Sequence, residues 1–197
     1  MTNMAEKKIY FFDGNSLLYR SYYAIRRLSN SKGFPTNAIY GFLMALRKFI
    51  STESPHYLGI VFDSKGPTIR HDAFKEYKAN RKPMPEDLIP QVPILKKVLI
   101  ALNIPIFEMA NYEGDDLLGS LARLAAGYQI PSVIVTNDKD LYQLVDRVTS
   151  VYNLNKDVLM DEAAVKESFG VAPRQVVDVL ALWGDPSDNI PGVPGIG

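Results

Sequence analysis

Three apolar runs in this chain each lead into acidic residues, and no other feature limits its fold as strongly. The runs cover residues 9–12, 58–62 and 133–135, and the acids that follow them are Asp13, Asp63, Asp138 and Asp140. Segments with helical spacing of apolar residues alternate with these runs, which predicts a mostly parallel sheet with helices on both faces. The carboxyl ends of parallel strands share one edge of a sheet, where open α/β folds bind ligands. We therefore expect these acids to meet at one edge.

A second acidic group lies at residues 111–118, which read N-Y-E-G-D-D-L-L and contain Glu113, Asp115 and Asp116. Apolar residues follow at helical spacing, so the acids fall in the first turn of an amphipathic helix. An ordinary acidic first turn is one interpretation, because the helix dipole favours negative charge there. The other is that these acids join the strand ends, with Asp185 and Asp188 completing the group from the turn at 184–189.

The net charge of zero conceals an uneven distribution. The chain has 22 acidic and 22 basic residues, and nine of the acids belong to the groups above. If those nine gather at one site, 13 acids remain against 22 basic residues elsewhere. An acidic pocket in a basic body is typical of a protein that binds metal cations and contacts a polyanion.

Carboxylates packed this closely repel, so some must be protonated or cations must bind among them. The chain has no cysteine and two histidines, so disulfides and thiolate zinc sites are excluded, and oxygen ligands favour Mg²⁺ or Mn²⁺. Nine acids exceed the needs of one ion. Two ions about 4 Å apart would use them, as in nucleases and phosphatases.

The segment 65–82 is basic, with a balance of +4 that comes from six basic residues against Asp72 and Glu76. The basic residues are Lys65, Arg70, Lys75, Lys78, Arg81 and Lys82, and Phe74 and Tyr77 lie between them. A solvated charged helix is one interpretation. The other is an arm that follows phosphates and offers an aromatic ring for base stacking. Lys78 and Arg81 would then neutralise charge on a phosphoryl group, and Arg20 adds positive charge nearby.

Local signals predict the limits of several elements. Ser16 is the expected N-cap of a helix that continues to Ile25, residues 86–102 read as a helix, and a hairpin is expected around 155–157. The first eight residues are polar and lack a signal peptide's apolar stretch. No segment approaches the roughly 18–20 apolar residues of a membrane span, so we expect a cytoplasmic protein.

Seven motifs together resemble the 5′-nuclease domain at the N-terminus of bacterial DNA polymerase I, within the flap endonuclease superfamily. They cover nearly the whole chain in the family's order. The motifs are F-D-G-N-S-L-L-Y-R (12–20), P-T-N-A-I-Y-G (35–41), V-F-D-S-K-G (61–66), Y-K-A-N-R-K-P-M-P (77–85), E-G-D-D (113–116), T-N-D-K-D (136–140) and G-D-P-S-D-N-I-P-G-V-P-G-I-G (184–197).

The resemblance implies a PIN-like α/β fold and hydrolysis of phosphodiesters that depends on two divalent ions, Mg²⁺ or Mn²⁺. The implied substrates are 5′ flaps, nicks and 5′ ends of DNA, and RNA primers on DNA, in replication and repair. By this resemblance the first metal group is Asp13, Asp63, Glu113, Asp115 and Asp116, and the second is Asp138, Asp140, Asp185 and Asp188. Among these, Asp13 and Asp115 are the expected catalytic acids.

The same resemblance implies that residues 1–183 form the catalytic domain, with a helical arch at about 65–95 that clamps the 5′ strand. Lys78 and Arg81 match catalytic positions at the base of the arch, and Tyr77 matches a base-stacking position. Arg20, Lys65, Arg70 and Lys82 are the other expected nucleic-acid contacts. A monomer is expected, joined in the parent chain to a C-terminal polymerase domain.

Residues 184–197 match the start of a helix-hairpin-helix element that grips duplex DNA in this family, often with a bound K⁺. The sequence stops at Gly197, so the element is expected to be truncated and K⁺ absent.

Three other functions remain open at this point. A haloacid-dehalogenase-type phosphatase would explain an acid after the first strand and G-D-P-S-D at 184–188, but it needs an acid where Asn15 stands. A non-catalytic nucleic-acid-binding module fits the truncated end. A PIN-type ribonuclease is disfavoured by the arch motif.

Overall fold

The computed structural model describes residues 7–196 and places six strands in one sheet, in the order β3-β2-β1-β4-β5-β6. The strands are β1 (Ile9–Asp13), β2 (Tyr57–Val61), β3 (Ile106–Phe107), β4 (Ser132–Val135), β5 (Thr149–Asn153) and β6 (Val158–Met160). Every pairing is parallel except that of β5 with β6. The predicted mostly parallel sheet is therefore confirmed, and so is the hairpin around 155–157. The parts of the predicted domain ranges that fall on residues 1–6 and 197 lie outside the described residues.

Seven α-helices connect and cover the strands in the described range. They are α1 (Gly14–Ala24), α2 (Asn37–Glu53), α3 (Ile69–Ala73), α4 (Gln91–Ala101), α5 (Gly114–Gly127), α6 (Glu162–Phe169) and α7 (Val176–Trp183), with 3₁₀ turns at Lys139–Leu144 and Pro173–Gln175. The segment expected as the arch, 65–95, contains α3, a run of turns and the first turn of α4. Among the described residues, no helix has the length and apolar character needed to cross a bilayer.

Two predicted helix limits are wrong for local physical reasons. The first helix begins at Gly14, because the Asp13 carboxylate caps it by accepting a hydrogen bond of 2.9 Å from the Ser16 backbone N–H. Ser16 therefore lies inside the helix. Residues 86–90 form turns, and α4 begins at Gln91, directly after Pro90. Prolines at 83, 85 and 90 interrupt this stretch, and the residue before a proline disfavours helical geometry.

The sheet separates two apolar cores, and alternate residues of the central strand β1 supply one ring to each. Phe12 packs with Phe42 and Leu95 under α1, α2 and α4, whereas Phe11 packs with Leu118 under α5. All five of these side chains are almost fully buried. Burial on both faces holds β1 in the middle of the sheet, so Asp13 at its end lies at the centre of the carboxyl edge.

Gln91 joins α4 to the start of α2. Its side chain has no solvent exposure, and its Oε1 accepts hydrogen bonds from the backbone N–H groups of Ala38 at 3.0 Å and Ile39 at 3.3 Å. Its amide group donates to the Asn37 side chain and to the Asp87 carbonyl, at 2.9 Å each. Gln91 thus satisfies backbone donors that the first turn of α2 cannot pair within the helix.

We expect Gln91→Leu to lower the free energy of unfolding by about 2–4 kcal/mol, because several buried polar groups lose their partners. Urea denaturation measures this change. Lys97→Leu, on the exposed face of the same helix, is the matched control and should change stability by less than about 0.5 kcal/mol. Equal stability of the two variants would contradict the structural role of Gln91.

Candidate active site

Asp13 is held in place from both of its oxygens. One oxygen caps α1, and the other accepts a hydrogen bond of 2.8 Å from the Thr136 hydroxyl. The same hydroxyl accepts a hydrogen bond of 3.0 Å from the Asp138 backbone N–H. Thr136 therefore links the acid after β1 to the acids after β4. Sequence reasoning did not assign Thr136 a role, although its place directly before an acidic turn was the available signal.

Asp63 is fixed by the first turns of two helices. Its Oδ1 accepts a hydrogen bond of 2.6 Å from the Gly114 N–H, and its Oδ2 accepts one of 2.5 Å from the Asn15 amide. A Cβ at Gly114 would lie 3.0 Å from that Oδ1, which explains the glycine between the acids of E-G-D-D. The start of α5 is thereby drawn against the end of β2. Asn15 is a second site residue to which sequence reasoning gave no role.

Asp115 lies where these groups meet. Burial is the main cause that raises the pKa of its carboxyl to about 8; the charges of Asp13, Asp138 and Asp63 also raise it, and the nearby Lys78 lowers it. Burial also raises the pKa of Asp13 to about 6, with Asp63 and Asp138 contributing in the same direction. Acids from three strand ends and the start of α5 are therefore close enough to destabilise each other's charge.

The acids of the second predicted group surround Asp140. Burial raises the pKa of Asp140 to about 6, and the charges of Asp138, Asp185 and Asp188 contribute in the same direction. Within residues 7–196, Asp140 Oδ1 is a buried side-chain oxygen without a hydrogen-bond partner. Asp138 influences both Asp115 and Asp140, so it lies between the two groups.

The basic segment contacts a different subset of the acids. Lys78 Nζ lies 2.8 Å from Glu113 Oε1, and the Tyr77 hydroxyl donates to Glu113 and Asp188, with distances of 3.0 Å to each. Arg81 forms an ion pair with Asp188. Lys78 has a left-handed backbone φ of 57°, and its N–H donates to the Asp188 carbonyl at 2.9 Å. The segment is therefore tied both to the start of α5 and to the turn at 184–189.

Arg70 pairs with Asp116 through two hydrogen bonds of 2.6 and 2.8 Å. These bonds lower the pKa of Asp116 more than its burial raises it. Asp115 and Asp116 are adjacent in sequence, yet the Asp115 carboxyl lies among other acids whereas the Asp116 carboxyl pairs with Arg70. The helix geometry of α5 accounts for this, because neighbouring helical residues point in directions about 100° apart.

The structure shows where the other predicted site residues lie. Tyr77 is buried, with 7% of its surface exposed, so it is not placed as a base-stacking platform; its hydroxyl instead binds two carboxylates. Glu113, Asp116 and Asp188 each form an ion pair with a basic side chain of the segment 65–82. Arg20 donates to the Leu154 carbonyl at 3.5 Å. Lys65 and Lys82 are exposed on the segment expected to contact nucleic acid.

The chemistry of this site fits hard divalent cations. Its donors are carboxylate oxygens, burial and neighbouring carboxylates raise the pKa values of Asp13, Asp115 and Asp140, and among the described residues the buried Asp140 Oδ1 has no hydrogen-bond partner. As the side chains stand in the described residues, no set of three or more potential ligands is close enough to enclose an ion.

Comparison with known proteins identifies the family. The model of the 5′-3′ exonuclease, N-terminal resolvase-like domain matches residues 8–170, and the chain belongs to this family. DNA polymerase I of Caldicellulosiruptor bescii is 44% identical over 196 residues, a match that covers 96% of this chain and 23% of that protein. A 5′-3′ exonuclease of Aquifex aeolicus is 43% identical over 192 residues, which is 97% of this chain and 66% of that protein. The chain thus spans about a quarter of the length of its polymerase relative.

Solved structures share the fold. A T5 5′-exonuclease with bound divalent metal ions (zinc) aligns with a TM-score of 0.79 and 22% identity, over 96% of this chain and 71% of that one. A bacteriophage T5 flap endonuclease in a pseudo-enzyme-product complex with DNA and metal ions aligns with a TM-score of 0.77 and 21% identity, with the same coverage. The PIN-like 5′-nuclease fold is therefore confirmed.

We expect Asp115→Asn to stabilise the protein when divalent ions are removed by a chelator. The native pKa is about 8 and the unfolded value about 3.8, so the native state binds more protons between these values. The free energy of unfolding then falls as pH rises from about 4 to about 8 and stays low above it. Asn removes this fall, so the stability gained by the substitution grows from about pH 4 and is largest at and above pH 8. Thermal melting across this pH range measures it.

The neighbouring Asp116→Asn is the matched control, and its effect has the opposite sign. It removes the charge that Arg70 binds and should lower stability at neutral pH by about 1 kcal/mol, because the pair is only partly buried. Destabilisation by both substitutions would show that Asp115 is not repelled by its neighbours.

Proposed function

We propose that this chain is a metal-dependent 5′-3′ exonuclease and flap endonuclease that hydrolyses phosphodiesters near the 5′ ends of DNA. The observation that carries the proposal is the convergence of Asp13, Asp63, Asp115 and Asp138, from four different elements, at the carboxyl edge of the sheet. Membership of the 5′-3′ exonuclease family and the names of the relatives support it.

The proposed cofactors are two Mg²⁺ or Mn²⁺ ions. Asp13, Asp63 and Asp115 would hold one, Asp140 and Asp185 the other, and Asp138 lies between the two groups. Bound ions would supply Lewis acidity for hydrolysis and offset the negative charge of the phosphate. Glu113, Asp116 and Asp188 complete the proposed ligand set. Each would have to give up its basic partner to bind an ion, or would contact the other ligands rather than the ion itself.

The basic segment is proposed to position the phosphate. Lys78 and Arg81 are held beside the acids by Glu113, Tyr77 and Asp188. A phosphate at the site would offer these cations a new partner, and its developing charge would be stabilised by groups already in place. Tyr77 contributes by orienting the two carboxylates rather than by stacking. Arg20, Lys65, Arg70 and Lys82 are proposed to contact the strand farther along the backbone.

The proposed substrates are DNA with a 5′ flap or 5′ end and RNA primers on DNA. We propose a monomeric, cytoplasmic catalytic domain over 1–183, an arch at about 65–95, and a start of a helix-hairpin-helix element at 184–197, joined in the parent chain to a polymerase domain. The polymerase relatives support the last point. K⁺ would belong to the complete duplex-binding element.

The phosphatase alternative is not favoured. Asn15 stands where that mechanism needs an acid, and its amide binds Asp63. The family and the relatives are nucleases. The non-catalytic alternative does not explain why so many acids gather beside bound cationic side chains.

We expect the purified protein with Mg²⁺ or Mn²⁺ to release short 5′ products from flap DNA, and Asp115→Asn to lower the single-turnover rate by about 10³-fold, because a carboxylate ligand is lost. Denaturing gel analysis of a 5′-labelled flap measures both.

Asp178→Asn is the control, since Asp178 is exposed on α7 and belongs to none of the acidic motifs. Its rate should equal that of the unmodified chain. Faster hydrolysis of para-nitrophenyl phosphate than of flap DNA would favour a phosphatase, and an intact flap at high protein concentration with either ion would refute the nuclease.

A further inference from the structure

Two asparagine side chains tie the turn at 184–189 to the basic segment, one from each side. The Asn189 amide donates a hydrogen bond of 2.8 Å to the Glu76 carbonyl. In the opposite direction, the Asn80 amide donates one of 2.6 Å to the Pro186 carbonyl. Both donors are neutral and both acceptors are backbone oxygens. The two bonds therefore form an asparagine clamp that carries no charge.

Lys78 lies between the two bonds of the asparagine clamp, and its backbone is bound to the same turn. Its N–H donates to the Asp188 carbonyl at 2.9 Å, and its φ of 57° lies in the left-handed region. Residues other than glycine rarely adopt this conformation, because it brings Cβ close to the following carbonyl oxygen. Contacts with the turn therefore have to hold the backbone of Lys78 in place.

The side chains of Lys78 and Arg81 reach two acids of the site. Lys78 pairs with Glu113, and Arg81 pairs with Asp188. A divalent ion or a phosphate bound at the site would disrupt these ion pairs, because each brings a charge that competes for one of the partners. The asparagine clamp consists of amide and carbonyl groups, so it persists when the ion pairs are exchanged.

We propose that Asn80 and Asn189 are positioning residues, which keep Lys78 and Arg81 at the acidic edge once the carboxylate partners of these cations bind ions. The inference rests on the proposed nuclease function and specifies what holds the cations of that site in place. Neither asparagine contacts the substrate in this arrangement. Each acts through the backbone of the basic segment, which the clamp fixes to the turn.

Asn80→Ala and Asn189→Gly each remove one amide donor of the clamp. Glycine is chosen at 189 because the φ of 60° there is left-handed, and glycine adopts it without strain. We expect each substitution to slow single-turnover flap cleavage at saturating Mg²⁺ by about fivefold, which is what the loss of one hydrogen bond typically costs. The DNA concentration that gives half the maximal rate should stay unchanged, because neither side chain contacts the strand.

A chain that carries Lys78→Ala and Arg81→Ala together distinguishes positioning from a general loss of structure. Adding Asn80→Ala or Asn189→Gly to this chain should change its residual rate by less than about twofold, because no cation is left to position. The proposal is overturned if either asparagine variant cleaves at the rate of the unmodified chain. It is equally overturned if both substitutions slow the chain without the two cations as much as the unmodified one.

Asn103→Gly is the matched control for Asn189→Gly. Asn103 is an exposed asparagine with a φ of 57°, and it lines a pocket with the first residues of β1 and β2, at the edge of the sheet opposite the acids. Its substitution should leave the cleavage rate unchanged. Slowing equal to that of Asn189→Gly would assign the effect to the backbone and overturn the role of the Asn189 amide.

Hydrogen–deuterium exchange of peptides that cover residues 76–81 tests the clamp without any cleavage. In the unmodified chain, addition of Mg²⁺ should leave the protection of the Lys78 amide intact. In Asn80→Ala and Asn189→Gly, Mg²⁺ should speed exchange of this amide severalfold, because the ion pairs that remain are then released. Equal exchange in all three chains with Mg²⁺ would overturn the clamp.

The exchange measurement decides the proposal where the residual rate of the chain without the two cations falls below detection, and where the unmodified chain cleaves no flap with either ion. In the latter case the proposed function itself fails. Efficient cleavage by the unmodified chain and by both asparagine variants would instead refute the clamp and leave the nuclease function standing.

Discussion

Repulsion among carboxylates at one edge of the sheet is the constraint on which this structure depends. Parallel pairing delivers Asp13 and Asp138 to that edge, and the close approach at Gly114 brings Asp115 beside Asp63. Burial and the charges of its neighbours together raise the pKa of Asp115 to about 8. Such an arrangement opposes folding unless something compensates the charge. The two apolar cores supply the stability that holds the acids together, and divalent cations would remove the cost.

The chain already compensates part of this charge with its own groups. Thr136, Asn15 and Gly114 donate hydrogen bonds to Asp13 and Asp63. Glu113 and Asp188 are paired with cations of the basic segment. Ion pairs of Lys78 and Arg81 therefore hold the segment 65–82 against the acidic edge. A phosphate would compete with the carboxylates for these two cations. This links the placement of the proposed arch to occupancy of the site.

Much of the fold follows from local patterns. Apolar runs predicted the strands, their alternation with helical segments predicted a mostly parallel sheet, and the spacing after E-G-D-D predicted α5. The start of α1 did not follow, because a cap depends on which side chain reaches a backbone N–H. Asp13, rather than Ser16, makes that bond at α1. Residues 86–90 form turns instead of a helix, because the prolines around them outweigh the apolar periodicity.

The sequence by itself determined which chemistry is available: nine acids in motifs, no cysteine, a basic segment beside them, and strands that send their acids to one edge. These properties are local, so they can be read from residue type and spacing. Only the tertiary structure decided which acids repel each other and which pair with cations, that Tyr77 is buried on two carboxylates, and that Asn80 and Asn189 join the basic segment to the turn at 184–189. Those outcomes depend on distances between residues far apart in the chain, which packing sets and the order of residues alone does not reveal.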